Sequence, residues 1–403
     1  MKKLVSVIIP SYNHEKYICD CVMSVLNQTY KNLEVFVMDD CSTDNSFAIL
    51  KKIRDKRLKV FRSKKNKGTV RTINELTKKC NGAYVAIIGS DDLWEKDKIE
   101  KQVDYLDKHN DVGAVFTSAE IIDENGNLYE DDCYFSHEVF KNDNISNGKR
   151  MRLFFENGNH LCHSSSLIRM NVIEKIGLYD ITFRQLHDYE YWVRLINEFN
   201  IYIMDDKLVK YRRFKNFENN LSNNSSKSVI RVVNENNAII NWMFNNIKND
   251  LFIDGFSDLF INKNSKSFEE LLCEKYFILL KYNIIGINNR QIAFSLIFNY
   301  IDKEKLFNLF EKKYNYSLFD FYNDTGKAYD VFNFDVVDGS DCYTGKSIIN
   351  NLNTIKDQQE IIDGLNNDVH MLEYNINMLK ASFSWKITKP LRIIKGMIRN
   401  EKN

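Results

Sequence analysis

The chain has 403 residues, more than one average domain, with 56 basic against 55 acidic side chains and a formal net charge of +1. That balance excludes a global field for nucleic acid or an acidic polymer, so any electrostatic recognition is local. Eight scattered cysteines (Cys19, Cys21, Cys41, Cys80, Cys133, Cys162, Cys273 and Cys342) show neither a CxxC pair nor dense spacing and read as reduced thiols.

Leu4 to Ile9 is a short β-branched run ended by Pro10, followed by polar Ser11-Tyr12-Asn13 and a helical pattern from about Glu15 to Gln28. Leu33 to Met38 is a second apolar run closed by Asp39-Asp40, with a helical stretch from Asp44 to about Arg54. Leu58 to Phe61 predicts a third strand and Thr69 to Cys80 a third helix. Tyr84 to Ile88 predicts a fourth strand, ending at Gly89-Ser90-Asp91-Asp92. Strands apolar on both faces and separated by helices imply an α/β fold with a mostly parallel sheet covered on both sides. Ligands bind outside the carboxyl ends of such strands, and both acidic pairs fall there, so Asp39-Asp40 and Asp91-Asp92 are expected to share one crevice. A fifth strand is expected near Val112 to Phe116, then a hairpin turn at Asn125-Gly126, a strand near Ser164 to Ile168 and a helix from Asp188 to about Phe199. Together they close the domain by roughly Arg213.

Residues 228 to 345 look helical and aromatic-rich and carry no recognisable chemistry. From Ile348 to Leu379 apolar positions follow three-and-four spacing with a slip between Ile362 and Leu365; self-association through a coiled coil and a plain amphipathic helix both explain it. Beyond it, Trp385, Ile387, Leu391, Ile394 and Ile398 alternate with Lys386, Lys389, Arg392, Lys395 and Arg399. Residues 385–399 suit an anionic membrane surface, although a packed helix with solvated lysines has the same pattern. No run of about 18 uninterrupted apolar residues occurs. A cytoplasmic protein is therefore expected, peripheral at the inner face of the membrane if the basic tail binds there. The boundaries read as 1–225, 226–345 and 346–403.

Paired carboxylates after a buried strand suit a hard cation, because Mg²⁺ or Mn²⁺ prefers oxygen ligands and shares them with phosphates. Asp91 and Asp92 meet that requirement, yet Ser90 or either Asp could simply cap the next helix. Ser42 or Asp44 could cap in the same way, Tyr12 could be a packing residue, and Asp188 could be an N-cap. His160 and His163 are isolated histidines, which act as hydrogen-bonded scaffold or as site residues.

The ordered set is more specific than its parts. Pro10-Ser11-Tyr12-Asn13, Ser24-Val25-Leu26-Asn27-Gln28-Thr29-Tyr30, Asp39-Asp40-Cys41-Ser42-Thr43-Asp44 and Gly89-Ser90-Asp91-Asp92 resemble, in order and spacing, the nucleotide-binding half of family 2 glycosyltransferases. The resemblance implies a GT-A fold and inverting transfer from a nucleotide-sugar donor, typically a UDP-sugar, with Mn²⁺ or Mg²⁺. Pro10, Ser11, Tyr12 and Asp40 would hold the base, Ser90 and Asp91 the ribose and diphosphate, Arg71 the diphosphate, and Asp92 the metal. The resemblance continues from Ile176-Gly177-Leu178-Tyr179-Asp180 to His187-Asp188-Tyr189-Glu190-Tyr191-Trp192, where Asp188 would be the catalytic base and His187 replaces a common Glu. Through it His160 and His163 would face the acceptor, a glycan, lipid-linked or protein hydroxyl. Some relatives carry a metal-binding histidine in a Tyr-Arg-x-His context; here Tyr211-Arg212-Arg213 is followed by Phe214. The Gln-x-x-Arg-Trp motif and membrane helices of processive synthases are missing, which favours transfer of one or a few sugars. Two rivals remain: a sugar nucleotidyltransferase, which would want a Gly-rich loop after the first strand, and a non-catalytic scaffold on a decayed transferase domain.

Overall fold

A computed structural model describes residues 2–129, 139–140, 143–214, 226–282 and 289–327. The chain divides into two units, Met1–Gly326 and Lys327–Asn403. The spacing at 348–379 and the basic segment 385–399 lie outside the described residues.

The first unit is built on an eight-stranded sheet. Its strands are β1 (Val5–Ser11), β2 (Leu33–Asp39), β3 (Leu58–Arg62), β4 (Tyr84–Ile87), β5 (Leu93–Trp94), β6 (Val112–Ile122), β7 (Leu167–Arg169) and β8 (Asn200–Arg212), in the order β3-β2-β1-β4-β7-β6-β8-β5. β1 pairs in parallel with β2 and β4, and β2 with β3. Val5, Val7, Ile8 and Ile9 are all fully buried, as a central strand covered on both faces requires. The mostly parallel sheet expected from the sequence is present, with antiparallel pairing confined to the contacts of β5 and β7. β7 runs antiparallel to both β4 and β6, and β5 is antiparallel to β8, whereas β6 and β8 are parallel.

The crossover helices follow the apolar spacing. In α1 (Ile18–Leu26), Ile18, Cys21, Val22, Val25 and Leu26 are buried, one stripe at three-and-four intervals. The next, α2 (Ser46–Leu50), is shorter than predicted, and α3 (Thr69–Thr77) and α4 (Lys98–Lys108) complete the parallel half. α5 (Asn147–Asn157), α6 (Met170–Ile176) and α7 (His187–Glu198) follow the longer strands. α7 buries Tyr189, Trp192, Val193 and Ile196, with Trp192 edge-on to Phe116 of β6 at 4.8 Å. The hairpin turn expected at Asn125-Gly126 is present: Gly126 has φ +87° and Ile122 bridges Leu128.

The helical region comprises α8 (Ser226–Asn246), α9 (Asn249–Phe256), α10 (Phe268–Lys281), α11 (Asn289–Asn299), α12 (Lys303–Tyr314) and α13 (Leu318–Gly326). Part of its aromatic content is core: Phe244, Phe252, Phe256, Tyr276 and Phe310 are buried, whereas Phe268, Phe298, Phe319 and Tyr322 are exposed. Phe155 of α5 packs against Phe244, Phe256 and Tyr282, which fastens the helices to the sheet-bearing part of the unit. None of the described helices is long and apolar enough to cross a membrane. The six cysteines among the described residues are free thiols.

Candidate active site

The loops that leave β1, β2 and β4 meet at one end of the sheet, as the strand order requires. Asn13 (φ 54°) and Cys41 (φ 65°) sit in the left-handed region, at the exits of β1 and β2. A hydrogen-bond lattice holds them there: Asn13 N–H donates to Ser42 Oγ at 2.9 Å, and Thr43 N–H to Asn13 Oδ1 at 2.9 Å. Asp44 accepts from Ser46 N–H and Glu15 N–H, each at 2.9 Å, so it ties the two loops together at the start of α2.

Asp40 N–H donates to Ser11 O at 2.7 Å. The Asp40 carboxylate accepts from Lys67 N–H at 3.0 Å and from Gly68 N–H at 2.8 Å, which fixes the loop before α3. Asp40 is nearly buried, while Tyr12 is 42% exposed and available to a flat ligand. Arg71 stands exposed in the first turn of α3, near the positive end of the helix, with no hydrogen-bond or ion-pair partner among the described residues.

The Ser24–Tyr30 stretch proves to be a clamp. Gln28 is fully buried; its amide donates to Glu95 O at 2.7 Å and its carbonyl accepts from Ile99 N–H at 3.1 Å. Trp94 N–H donates to Ser24 Oγ at 3.2 Å. These bonds pin the chain that follows Asp92. They also dispose of the capping alternative for Ser90-Asp91-Asp92, because α4 begins only at Lys98, beyond β5.

Asp92 is 2% exposed. Its oxygens accept from Ser164 Oγ–H at 2.5 Å and from Arg212 N–H at 2.8 Å. Arg212 also donates from Nε to Asp91 O at 2.8 Å and stacks its guanidinium 4.5 Å over Tyr17. The Asp91 side chain is 21% exposed, with Oδ2 4.0 Å from His14 Nε2. The expected metal residue, Asp92, is thus engaged by the scaffold, and the more accessible oxygens are those of Asp91. The two carboxylates converge: a Cβ added at Gly89 would lie 2.9 Å from Asp92 Oδ2 and 3.0 Å from Asp91 Oδ1. Burial, and after it the charge of Asp91, push the Asp92 carboxyl well above the usual carboxylate range. Two crowded hard-oxygen donors fit a divalent cation, which would relieve their repulsion. Among the described residues no three His, Cys, Asp or Glu side chains form a metal-holding group, so a cation there needs ligands from outside this carboxylate pair.

Asp188 occupies the first turn of α7, with Oδ1 accepting from Tyr189 N–H and Oδ2 from Asn159 Nδ2–H, each at 2.8 Å. It is not the N-cap, a position held by Leu186. Crowding by protein atoms raises its pKa, opposed by His187 and by its hydrogen bonds. His187 is buried, with Nε2 unpartnered. The segment from Asn159 to Ser164 therefore bonds Asp188 at one end and Asp92 at the other. Five residue steps span at most about 18 Å, which is the upper limit on the backbone separation of the two anchoring residues. His160 accepts from Arg150 Nη1–H at 3.0 Å, and its pKa is pushed down to about 4 by burial. His163 contacts Tyr179 Oη at 3.0 Å and is pushed down to about 3 by burial, then by His187. Both read as neutral scaffold. A separate cavity of about 390 Å³ lies between α7 and α8, lined in part by the Glu190–Arg194 ion pair, and does not include Asp188.

The model for glycosyl transferase family 2 matches residues 6–177. An uncharacterised glycosyltransferase of Haemophilus influenzae is 30% identical over 291 residues, covering 70% of this chain and 89% of that one. The chain belongs to family 2 of the glycosyltransferases. As a family 2 enzyme it has the GT-A arrangement of a mixed, mostly parallel sheet followed by helices. A putative teichuronic acid biosynthesis glycosyltransferase of Bacillus subtilis, TuaG, is 44% identical over 107 residues, 26% of this chain and 42% of the relative. The solved fragment 1–349 of S. aureus TarS in complex with UDP is 20% identical with a TM-score of 0.48, covering 84% of this chain and 95% of that one.

Sequence reasoning did not single out Asn159, Ser164, His14 or Arg212. His14 adjoins the Pro10–Asn13 motif and Arg212 lies in the Tyr211–Arg213 stretch, but no local pattern told that either reaches Asp91.

Proposed function

We propose that this family 2 glycosyltransferase moves a sugar from a nucleotide-sugar donor, a UDP-sugar by the motif set, to an acceptor hydroxyl with inversion at the anomeric carbon. The observation that carries this reading is the Asn159–Ser164 segment, which holds a carboxylate of raised pKa at one end and the paired carboxylates at the other. Tyr12 offers a face for the base, with Pro10 and Ser11 shaping the loop, and Asp40 keeps lone pairs for a base N–H beside those given to residues 67 and 68. Asp91, with its partly exposed side chain, would hold the cation, and buried Asp92 stands behind it and adds negative charge. A divalent cation held there, Mn²⁺ or Mg²⁺, would supply charge neutralisation for the leaving diphosphate. Arg71 and the start of α3 add positive potential on the nucleotide side.

Asp188 accepts the acceptor's hydroxyl proton as the acceptor oxygen bonds to the anomeric carbon. The bond from that carbon to the phosphate oxygen breaks on the opposite face, and the nucleoside diphosphate leaves. Asn159 fixes which Asp188 oxygen faces the acceptor. No covalent enzyme intermediate is formed. The B. subtilis relative's description favours a cell-surface polysaccharide or its lipid-linked precursor as acceptor, over a protein. Assay with UDP-, GDP- and dTDP-sugars and Mn²⁺ tests the reading: nucleoside diphosphate release supports it. Pyrophosphate release from a nucleoside triphosphate and a sugar phosphate would point to a nucleotidyltransferase, and neither release to a scaffold.

A further inference from the structure

The carboxylate pair alone is a poor cage, because the scaffold already engages Asp92 and only Asp91 turns a partly exposed side chain outward. Beside it stands an imidazole. His14 leaves β1 two residues past Tyr12, its backbone N–H fixed on Ser46 Oγ at 3.0 Å. Its Nδ1 lies 2.7 Å from Ser90 Oγ, and this bond sets the ring so that Nε2 faces Asp91 Oδ2 at 4.0 Å. Tyr17 and Phe214 wall the ring at centroid distances of 6.2 and 6.4 Å.

We propose that His14 supplies an imidazole nitrogen to the divalent cation held by Asp91, making the protein part of the metal site a His14–Asp91 pair completed by the donor diphosphate. The inference rests on the metal-dependent reading above and deepens it. Metal–nitrogen and metal–oxygen bonds of about 2.1 Å each reach across at most about 4.2 Å, so the observed gap accepts a cation after a small closing of the two side chains. Ligating histidines ordinarily hydrogen-bond through their other ring nitrogen, which fixes tautomer and orientation, and Ser90 Oγ fills that place here. In the tautomer whose Nδ1–H donates to Ser90 Oγ, Nε2 carries the lone pair that a metal needs. A mixed nitrogen and oxygen set with one carboxylate favours Mn²⁺ over Mg²⁺, since imidazole is the softer donor.

The test is electron spin-echo envelope modulation on the full chain with Mn²⁺ and UDP. The expected spectrum shows directly bonded ¹⁴N coupling, lost in His14→Gln and kept in Phe214→Leu, with Mn²⁺ affinity falling about tenfold in His14→Gln. Bound Mn²⁺ with no ¹⁴N coupling in the unaltered chain overturns the His14 assignment while leaving the metal reading intact. No Mn²⁺ binding with UDP present overturns both. The spectrum of the unaltered chain decides between these outcomes, so misfolding of the variant cannot obscure the result.

Discussion

Replacing Asp188 by Asn tests the base assignment at nearly constant shape. The Asn carbonyl can still accept from Tyr189 N–H, but its amide then faces the Asn159 amide, and Asn159 cannot turn without giving up its own bond to Leu161 N–H. One hydrogen bond is left unmade, worth about 1–3 kcal/mol of stability, which a folded domain of this size tolerates. The chemical step loses much more. A positioned general base contributes roughly 10²- to 10⁴-fold, or about 2.7–5.5 kcal/mol of barrier at ~1.36 kcal/mol per tenfold. Nucleoside diphosphate release should therefore fall at least about a hundredfold at saturating donor and acceptor. Calorimetric UDP binding should stay within about twofold, because no contact to the base or diphosphate is removed. A variant turning over within about threefold of the unaltered enzyme would refute the assignment.

Three further outcomes follow from the same geometry. Asn159→Ala removes a bond that lowers the Asp188 pKa, so the acid limb of kcat/KM should move to higher pH while the plateau rate changes less; an unmoved limb contradicts the role given to Asn159. Gly89→Ala places a methyl against both Asp91 and Asp92, and should cost roughly tenfold to a hundredfold in metal-dependent turnover with the fold intact by circular dichroism. His160 has a folded pKa of about 4 against about 6.5 unfolded, so the unfolded chain binds more protons between those values and stability falls as pH drops through that window. From pH 7 to 5 that single group accounts for about 2 kcal/mol, and urea unfolding of His160→Gln should show a correspondingly smaller loss than the unaltered chain; equal losses would contradict it.

The parallel half of the sheet was legible because β1, β2 and β4 are short, apolar on both faces and each ends in a polar loop. β8 was not, although it is 13 residues long. Its apolar run is broken at Asp205-Asp206, which the pairing with β6 skips: Thr117 faces Met204 and Ser118 faces Lys207. A bulge of that kind erases the alternation that marks a strand. The antiparallel β7 escaped orientation for another reason, since only three residues pair and direction is set by the connections rather than by side chains.

At the site, the motif order located the crevice but not the division of labour inside it. Gln28 and Ser24 carry no signal of being clamps, because their partners are backbone groups near residues 94–99. Asp91 and Asp92 are equivalent in the sequence; only the approach of Ser164 and Arg212, more than seventy residues away, buries one and leaves the other accessible. His14 likewise gains its place from Ser90, a residue brought near by the β1–β4 pairing.

Single displacement promoted by Asp188 fixes the anomeric form of the first product, which can be read without knowledge of the acceptor. With an α-linked UDP-sugar, Mn²⁺ and water as acceptor, proton NMR recorded ahead of mutarotation should show the β-anomer appearing together with UDP. An α-anomer formed first would rule out single displacement.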